Sequence, residues 1–273
     1  EGKMVEKFES EFARKIGAIN PVMVNSGTSA LHLALAVAGV REDDEVILPA
    51  QTFVATGMVI LMQGAKPVFA DIDWHTGNIS PKSIKGKITK RTKAIMVVHW
   101  GGYPCDMDEI NKLAKQHDLV VIEDAAHALG ARYKGKPIGA ISRFTAFSFQ
   151  AIKHLTTGDG GALCCLDKKD YVRAKSLRWF GISREKSKPS ILGERVYDLS
   201  EVGYKYHMND LAANVGLGNL VDFKKNLAIR RKIAKYYRKE LADVSGLTLL
   251  DYKDDRESAY WLFTILVEKR EEF

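Results

Sequence analysis

Asp106-Met-Asp-Glu-Ile-Asn-Lys-Leu-Ala-Lys-Gln-His117, followed by Asp118-Leu-Val-Val-Ile-Glu-Asp124, is the stretch that decides the fold. Its first half puts Met107, Ile110, Leu113 and Ala114 on one face at helical spacing. Acidic residues stand at the start, where the helix dipole favours them. Its second half, Leu119 to Ile122, is an all-apolar run that ends on Glu123 and Asp124. A strand apolar on both faces belongs in a parallel sheet covered by helices on both sides. The same alternation extends upstream. Val5, Phe8, Phe12 and Ile16 predict a helix, Val22 to Val24 a strand, Ser29 to Val40 a helix, and Glu45–Leu48 a strand. A helix follows Phe53, and strands are predicted at Pro67–Ala70 and Ala94–His99. Downstream, Phe144–Phe149 and Ala162–Leu166 are two further apolar strands. A doubly wound α/β class follows from the pattern alone.

From Asp167 the texture changes. Lys168–Phe180 and Met208 to about Leu241 predict long helices, and Leu247–Leu250 and Leu262–Val267 predict strands. We therefore expect a large domain over residues 1–225 and the start of a small α+β domain over 226–273. Two strands are few for a domain, so the expectation is an incomplete C-terminal part.

With 46% apolar and 27% charged residues, the 273-residue chain has the composition of an ordinary globular protein. The net charge of +7, from 41 basic and 34 acidic residues, is spread over solvated helix faces. It leaves room for a phosphate-bearing ligand, but no aromatic-interleaved basic stripe argues for nucleic acid. Cys105, Cys164 and Cys165 form neither a metal-ligand spacing nor a disulfide framework. The adjacent pair should point to opposite faces of a strand as small core residues. A charged N-terminus and no bilayer-length apolar run predict a cytoplasmic chain away from membranes.

In open α/β sheets, ligands gather at the carboxyl ends of the strands. Four groups of residues fall there. Ser26-Gly27-Thr28-Ser29 is a strand-to-helix turn whose backbone N–H groups and hydroxyls suit a phosphate, with a plain N-cap as the competing reading. Asp124 ends its strand and can pair with a protonated ring nitrogen, or simply cap a helix. Lys153 lies between two core strands, with Ser148 five residues earlier and Gly158-Asp-Gly-Gly161 after it. Desolvation there lowers an amine pKa and frees a nucleophile, as a Schiff-base lysine for pyridoxal 5′-phosphate (PLP) requires. Phe53 can stack on a flat ring, although core burial is the commoner fate of such a residue. His127, three residues after Asp124, can cover that ring or stand as a structural histidine.

These stretches resemble the DegT/StrS type of PLP-dependent nucleotide-sugar aminotransferases. The resemblance rests on Ser26-Gly-Thr-Ser-Ala-Leu-His-Leu-Ala-Leu, Asp44-Glu-Val-Ile-Leu-Pro, Thr52-Phe-Val-Ala-Thr and Pro67-Val-Phe-Ala-Asp-Ile-Asp. It continues through Ile122-Glu-Asp-Ala-Ala-His-Ala-Leu-Gly-Ala, Phe147 to Gly161, and Gly203-Tyr-Lys-Tyr-His-Met-Asn-Asp-Leu. It implies a fold type I transferase with a mostly parallel seven-stranded sheet and a homodimer whose cofactor site is shared across the interface. It also implies Lys153 as the catalytic aldimine lysine and Asp124 as partner of the pyridine nitrogen. Gly27, Thr28, Ser29 and Ser148 would hold the phosphate, with Phe53 and His127 on the ring. Lys205 stands where many relatives carry an asparagine that reaches the neighbouring subunit's cofactor phosphate. Two departures are that relatives begin with a further N-terminal segment and carry a complete C-terminal domain.

The implied reaction moves an amino group from an amino acid, L-glutamate in most relatives, to a keto group of a nucleotide-linked deoxysugar. Family dehydratases carry histidine in place of the lysine, so Lys153 favours transamination. The alternative is a non-catalytic PLP-binding sensor of the same fold. A nicotinamide-type Rossmann enzyme lacks its G-x-G-x-x-G fingerprint here. Substrate choice would lie with loops around Trp100–Tyr103 and Trp179–Arg184; Trp100, Tyr103 and His207 are possible contacts, with aromatic core packing the competing reading.

Overall fold

The structure, a computed structural model, describes residues 2–183, 188–197 and 199–272; Arg184 lies outside them. In chain order the first nine strands are β1 (Pro21–Val24), β2 (Glu45–Pro49), β3 (Lys66–Ala70), β4 (Thr92–Val98), β5 (Val120–Asp124), β6 (Arg132–Tyr133), β7 (Lys136–Pro137), β8 (Phe144–Ser148) and β9 (Gly161–Cys165). Seven of them form one sheet in the order β1-β9-β8-β5-β4-β2-β3. β9 runs antiparallel to both neighbours, and the pairs β8–β5, β5–β4, β4–β2 and β2–β3 are parallel. The carboxyl ends of β1, β2, β5 and β8 therefore share one edge of the sheet. The β8–β9 connection turns back at that same edge.

Helices α1 (Lys3–Ile16), α2 (Gly27–Ala38), α3 (Ala55–Met62), α4 (Pro81–Lys87), α5 (Met107–Gln116), α6 (Lys168–Leu177), α7 (Asp210–Asn219) and α8 (Phe223–Glu240) cover both faces. One core layer joins Phe8, Phe12, Ile110, Phe147, Phe149, Phe223 and Leu227. The other joins Leu33, Leu35, Val46, Val59, Ile122, Phe144 and Leu177. Cys164 belongs to the first layer and Cys165 to the second, as strand alternation requires. Phe8, Phe12, Phe147 and Phe149 pack with ring centroids 5.4–6.1 Å apart. Each fully buried phenylalanine contributes about 1.5–3 kcal/mol by leaving water. Arg178, fully buried, donates from Nη1 to Glu9 Oε1 and to the Met23 carbonyl, both at 2.6 Å, and so ties α1 to β1.

Two expectations change. The helix expected from Met208 to Leu241 is broken at Leu220–Asp222 into α7 and α8. Asn209 caps α7 by accepting from Ala212 N at 2.9 Å. The break lets Ala213 and Gly216 pack beside α1 while Phe223 and Leu227 still enter the core. The strand expected from Leu262 begins only at Ile265, where Ile265–Val267 pairs antiparallel with Leu247–Leu249. Trp261 N and Leu262 N donate instead to the Gly101 carbonyl, so that backbone belongs to a turn of the large sheet's edge. Among the described residues no helix is long and apolar enough to cross a membrane.

Candidate active site

The turn after β1 is built by its own hydroxyls. Ser26 Oγ accepts from Ser29 N at 3.0 Å, and Ser29 Oγ donates to Asn25 Oδ1 at 2.6 Å. Ser29 is buried and its hydroxyl and N–H serve this cap, whereas Gly27 N–H and Thr28 N–H lie in the first turn of α2, where no intrahelical acceptor exists. Ser148, at the carboxyl end of β8, closes the cradle from the side. A Cβ on Gly27 would lie 2.8 Å from Ser148 Cβ and 3.2 Å from its Oγ. Only glycine lets the turn come this close.

Asp124 ends β5 and is 6% exposed. Its Oδ2 accepts from Thr56 Oγ1 at 2.8 Å and its Oδ1 from Ala126 N at 3.1 Å. Because the Thr56 proton goes to the carboxylate, the 2.6 Å contact between Thr52 and Thr56 hydroxyls runs with Thr52 as donor. Burial pushes the Asp124 carboxyl above the usual aspartate range, opposed by the two donors and by the Lys153 charge. Glu123 faces the other way, as alternation predicts. Its carboxylate accepts from Ser142 N, Thr145 Oγ1 and His99 Nε2; His99 Nδ1 accepts from Cys105 N, which fixes the proton on Nε2.

Lys153 lies in the β8–β9 connection, half-buried, with no ion pair among the described residues. Its Nζ stands 3.8 Å from the centroid of the Trp261 ring. Burial lowers its pKa, and the Asp124 charge pulls the other way. His127 stacks on the same indole at 3.9 Å and 12°, with Trp100 edge-on at 5.9 Å. Burial, and then the Lys153 and His154 charges, drive the His127 pKa down to about 3, so its imidazole is neutral. Among the described residues His127 Nδ1 is buried without a hydrogen-bond partner.

Phe53 stands just ahead of α3 and is 69% exposed; it is not core. Val54, Met58, Leu61 and Met62 continue an exposed apolar face along α3. The Lys205 carbonyl accepts from Asn25 Nδ2 at 3.4 Å, beside the Ser26 turn, while its amine lies 4.4 Å over the Trp179 ring. Tyr103 is fully buried, stacked on Tyr252, and its hydroxyl accepts from Lys253 N at 2.7 Å, which makes it core. His207 packs edge-on against Trp179. Sequence reasoning missed Thr56 and Trp261. Thr56 sits one helical turn after Thr52 within a quoted motif, a spacing that was available. Trp261 is more than 100 residues from Lys153, and nothing local announces it.

A strand-to-helix turn closed by Ser148, a buried carboxylate and a half-buried amine lie on one edge of a seven-stranded, mostly parallel sheet, and the fold is that of a PLP-dependent transferase of fold type I. The chain belongs to the DegT/DnrJ/EryC1/StrS aminotransferase family, whose profile matches residues 1–272. It is a PLP-dependent aminotransferase of the sugar type. The spore coat polysaccharide biosynthesis protein SpsC of Bacillus subtilis (strain 168) is 42% identical over 272 residues, covering 98% of this chain and 69% of SpsC. GDP-perosamine synthase of Escherichia coli O157:H7 is 37% identical, covering 99% of this chain and 71% of its own. The crystal structure of sugar aminotransferase CalS13 from Micromonospora echinospora superposes with a TM-score of 0.93 at 36% identity, over 99% of this chain and 74% of that one.

Proposed function

We propose that this protein transfers an amino group from L-glutamate to a keto group of a nucleotide-linked deoxysugar, with Lys153 as the amine that anchors PLP. The observation that carries the reading is the meeting of Lys153, Asp124 and the Gly27–Ser148 cradle on one sheet edge. The residues fit the cofactor: the cradle has room only because position 27 lacks a Cβ, and His127 Nδ1 is a buried polar atom in want of a partner. When bound, PLP supplies an electron sink that stabilises negative charge at the amino donor's α-carbon.

Gly27 N–H, Thr28 N–H and the Ser148 hydroxyl bind the phosphate at the positive end of α2, and Ser29 holds that turn in shape. Asp124, oriented by the Thr56 hydroxyl and the Ala126 N–H, would hold a proton on the ring nitrogen. Phe53 and His127 are the residues that would cover the ring, and their bulk would keep water from it. Lys153 Nζ, whose pKa burial lowers, takes the proton from the donor α-carbon and later returns it. The sugar-nucleotide relatives support the acceptor class. We further propose a homodimer, supported by the exposed apolar face of α3, with Lys205 reaching the phosphate bound by the neighbouring subunit.

The test is direct. Purified protein supplied with PLP should turn yellow, and borohydride followed by peptide mapping should place the pyridoxyl group on Lys153. A colourless Lys153→Ala variant and amine transfer from glutamate to one member of a keto-sugar nucleotide panel complete the expectation. A label on another lysine, or no transfer to any panel member, would sink the reading.

A further inference from the structure

We propose that Trp261 is a positioning residue for Lys153, using both faces and the edge of its indole to hold the amine and the loop that carries it. This rests on the reading of Lys153 as the cofactor-anchoring amine. Lys153 Nζ lies 3.8 Å from the ring centroid and the His127 imidazole 3.9 Å from it. Two groups cannot share that space above one face, so they take opposite faces. The edge is also used, because Nε1 donates to the Ile152 carbonyl at 3.0 Å, one residue before the lysine.

The backbone around the indole is tied to the same two walls. His154 Nε2 donates to the Ala259 carbonyl at 2.9 Å, a second bond to the lysine loop. Ala259 N donates to Gly102 O at 3.0 Å and Trp261 N to Gly101 O at 2.8 Å. A Cβ on Gly102, at φ +99°, would lie 2.6 Å from the His127 carbonyl, so the turn is pressed against the His127 wall. Between these anchors Tyr260 is held at φ +49°, a left-handed conformation that a side-chain-bearing residue keeps only when its surroundings impose it.

A lysine stem is flexible, and an amine that must meet a carbonyl carbon gains from being held near it. An indole face attracts the ammonium and not the neutral amine. Trp261 therefore keeps the resting side chain beside the site, and its bond to the Ile152 carbonyl holds the loop in place when the amine is neutral.

The experiment uses the full chain stripped of PLP, with capture of added PLP followed by absorbance in stopped flow. Trp261→Phe keeps a ring face, though a smaller one, and loses the Nε1 bond, and should slow capture about fivefold; Trp261→Leu loses both and should slow it about twentyfold. Turnover should fall in the same order, with KM for the amino donor within about twofold of wild type and melting temperatures close to it. Wild-type capture in the Leu variant, equal losses in both variants, or a raised KM with unchanged kcat would each overturn the positioning role. Should Trp261→Leu fail to fold, a wild-type rate in Trp261→Phe alone does so. No capture by the unaltered protein would overturn the Lys153 reading and this inference with it. Normal capture by the unaltered protein and by both variants would overturn this inference only.

Discussion

Replacing Gly27 by alanine sets two effects of known size against each other. Alanine favours a helix over glycine by at most about 1 kcal/mol, and less at a first helical position. Against this, the new Cβ would lie 2.8 Å from Ser148 Cβ and 3.3 Å from its Cα. Strand β8 is pinned on both sides by β5 and β9, so Ser148 cannot retreat freely. Overpacking of this kind costs about 1–3 kcal/mol, and the clash wins. The ligand-free variant should melt a few degrees lower, at about 2–4 °C per kcal/mol. Displacing one charge-assisted phosphate contact, worth about 1.5–3 kcal/mol, should weaken PLP binding by about 10- to 100-fold. Because the nearest atom is Cβ, Ser148→Ala will not relieve the strain, while Ser148→Gly will. Thermal unfolding of the two single variants and the Gly27→Ala/Ser148→Gly double variant should show recovery of stability without recovery of PLP affinity. A Gly27→Ala protein that is more stable than wild type would refute the close approach. One that is less stable but binds PLP normally would refute the phosphate cradle.

Asp124→Asn should weaken PLP binding and remove a pH dependence of stability from the ligand-free protein. The folded-state pKa of Asp124 is raised by burial, so its protonated form contributes stability below about pH 3.9, the ordinary aspartate value, and that stability is lost as pH rises through the folded value. The stability of the Asn variant relative to wild type should therefore rise from about pH 4 upward and level off below it; a difference that does not change with pH counts against the assignment. Arg178→Met should cost about 3–5 kcal/mol, because it leaves the Glu9 carboxylate buried without its cation; unfolding in urea with a midpoint near wild type would contradict this. Tyr103→Phe should cost about 1 kcal/mol through the lost bond from Lys253 N and leave KM for the sugar unchanged, whereas a large KM change would make Tyr103 a substrate contact.

Much of the frame was legible because burial on both faces writes all-apolar runs into a sequence. The apolar runs Leu119–Ile122 and Ala162–Leu166 predicted inner strands, and the structure places β5 and β9 there. The α7–α8 break was not legible, since Leu220 and Val221 continue a helical pattern that only packing interrupts. Phe53 suited a ring face, but core burial was the commoner reading of such a residue. Its exposure depends on where α3 starts relative to the sheet edge, which no local pattern encodes.

By itself the sequence determined the α/β class, the chain order of the seven strands of the main sheet, and which residue types stand at or just beyond strand ends: Gly27, Asp124, Ser148 and Lys153. Those features arise from local propensity and burial pattern, which act over a few residues. Only the tertiary structure decided that Thr56 supports Asp124, that Ser148 leaves room for nothing larger than glycine, and that Trp261 lies against Lys153. Each of these contacts joins segments far apart in the chain, and the strand order that brings them together is set by the cooperative packing of the whole sheet.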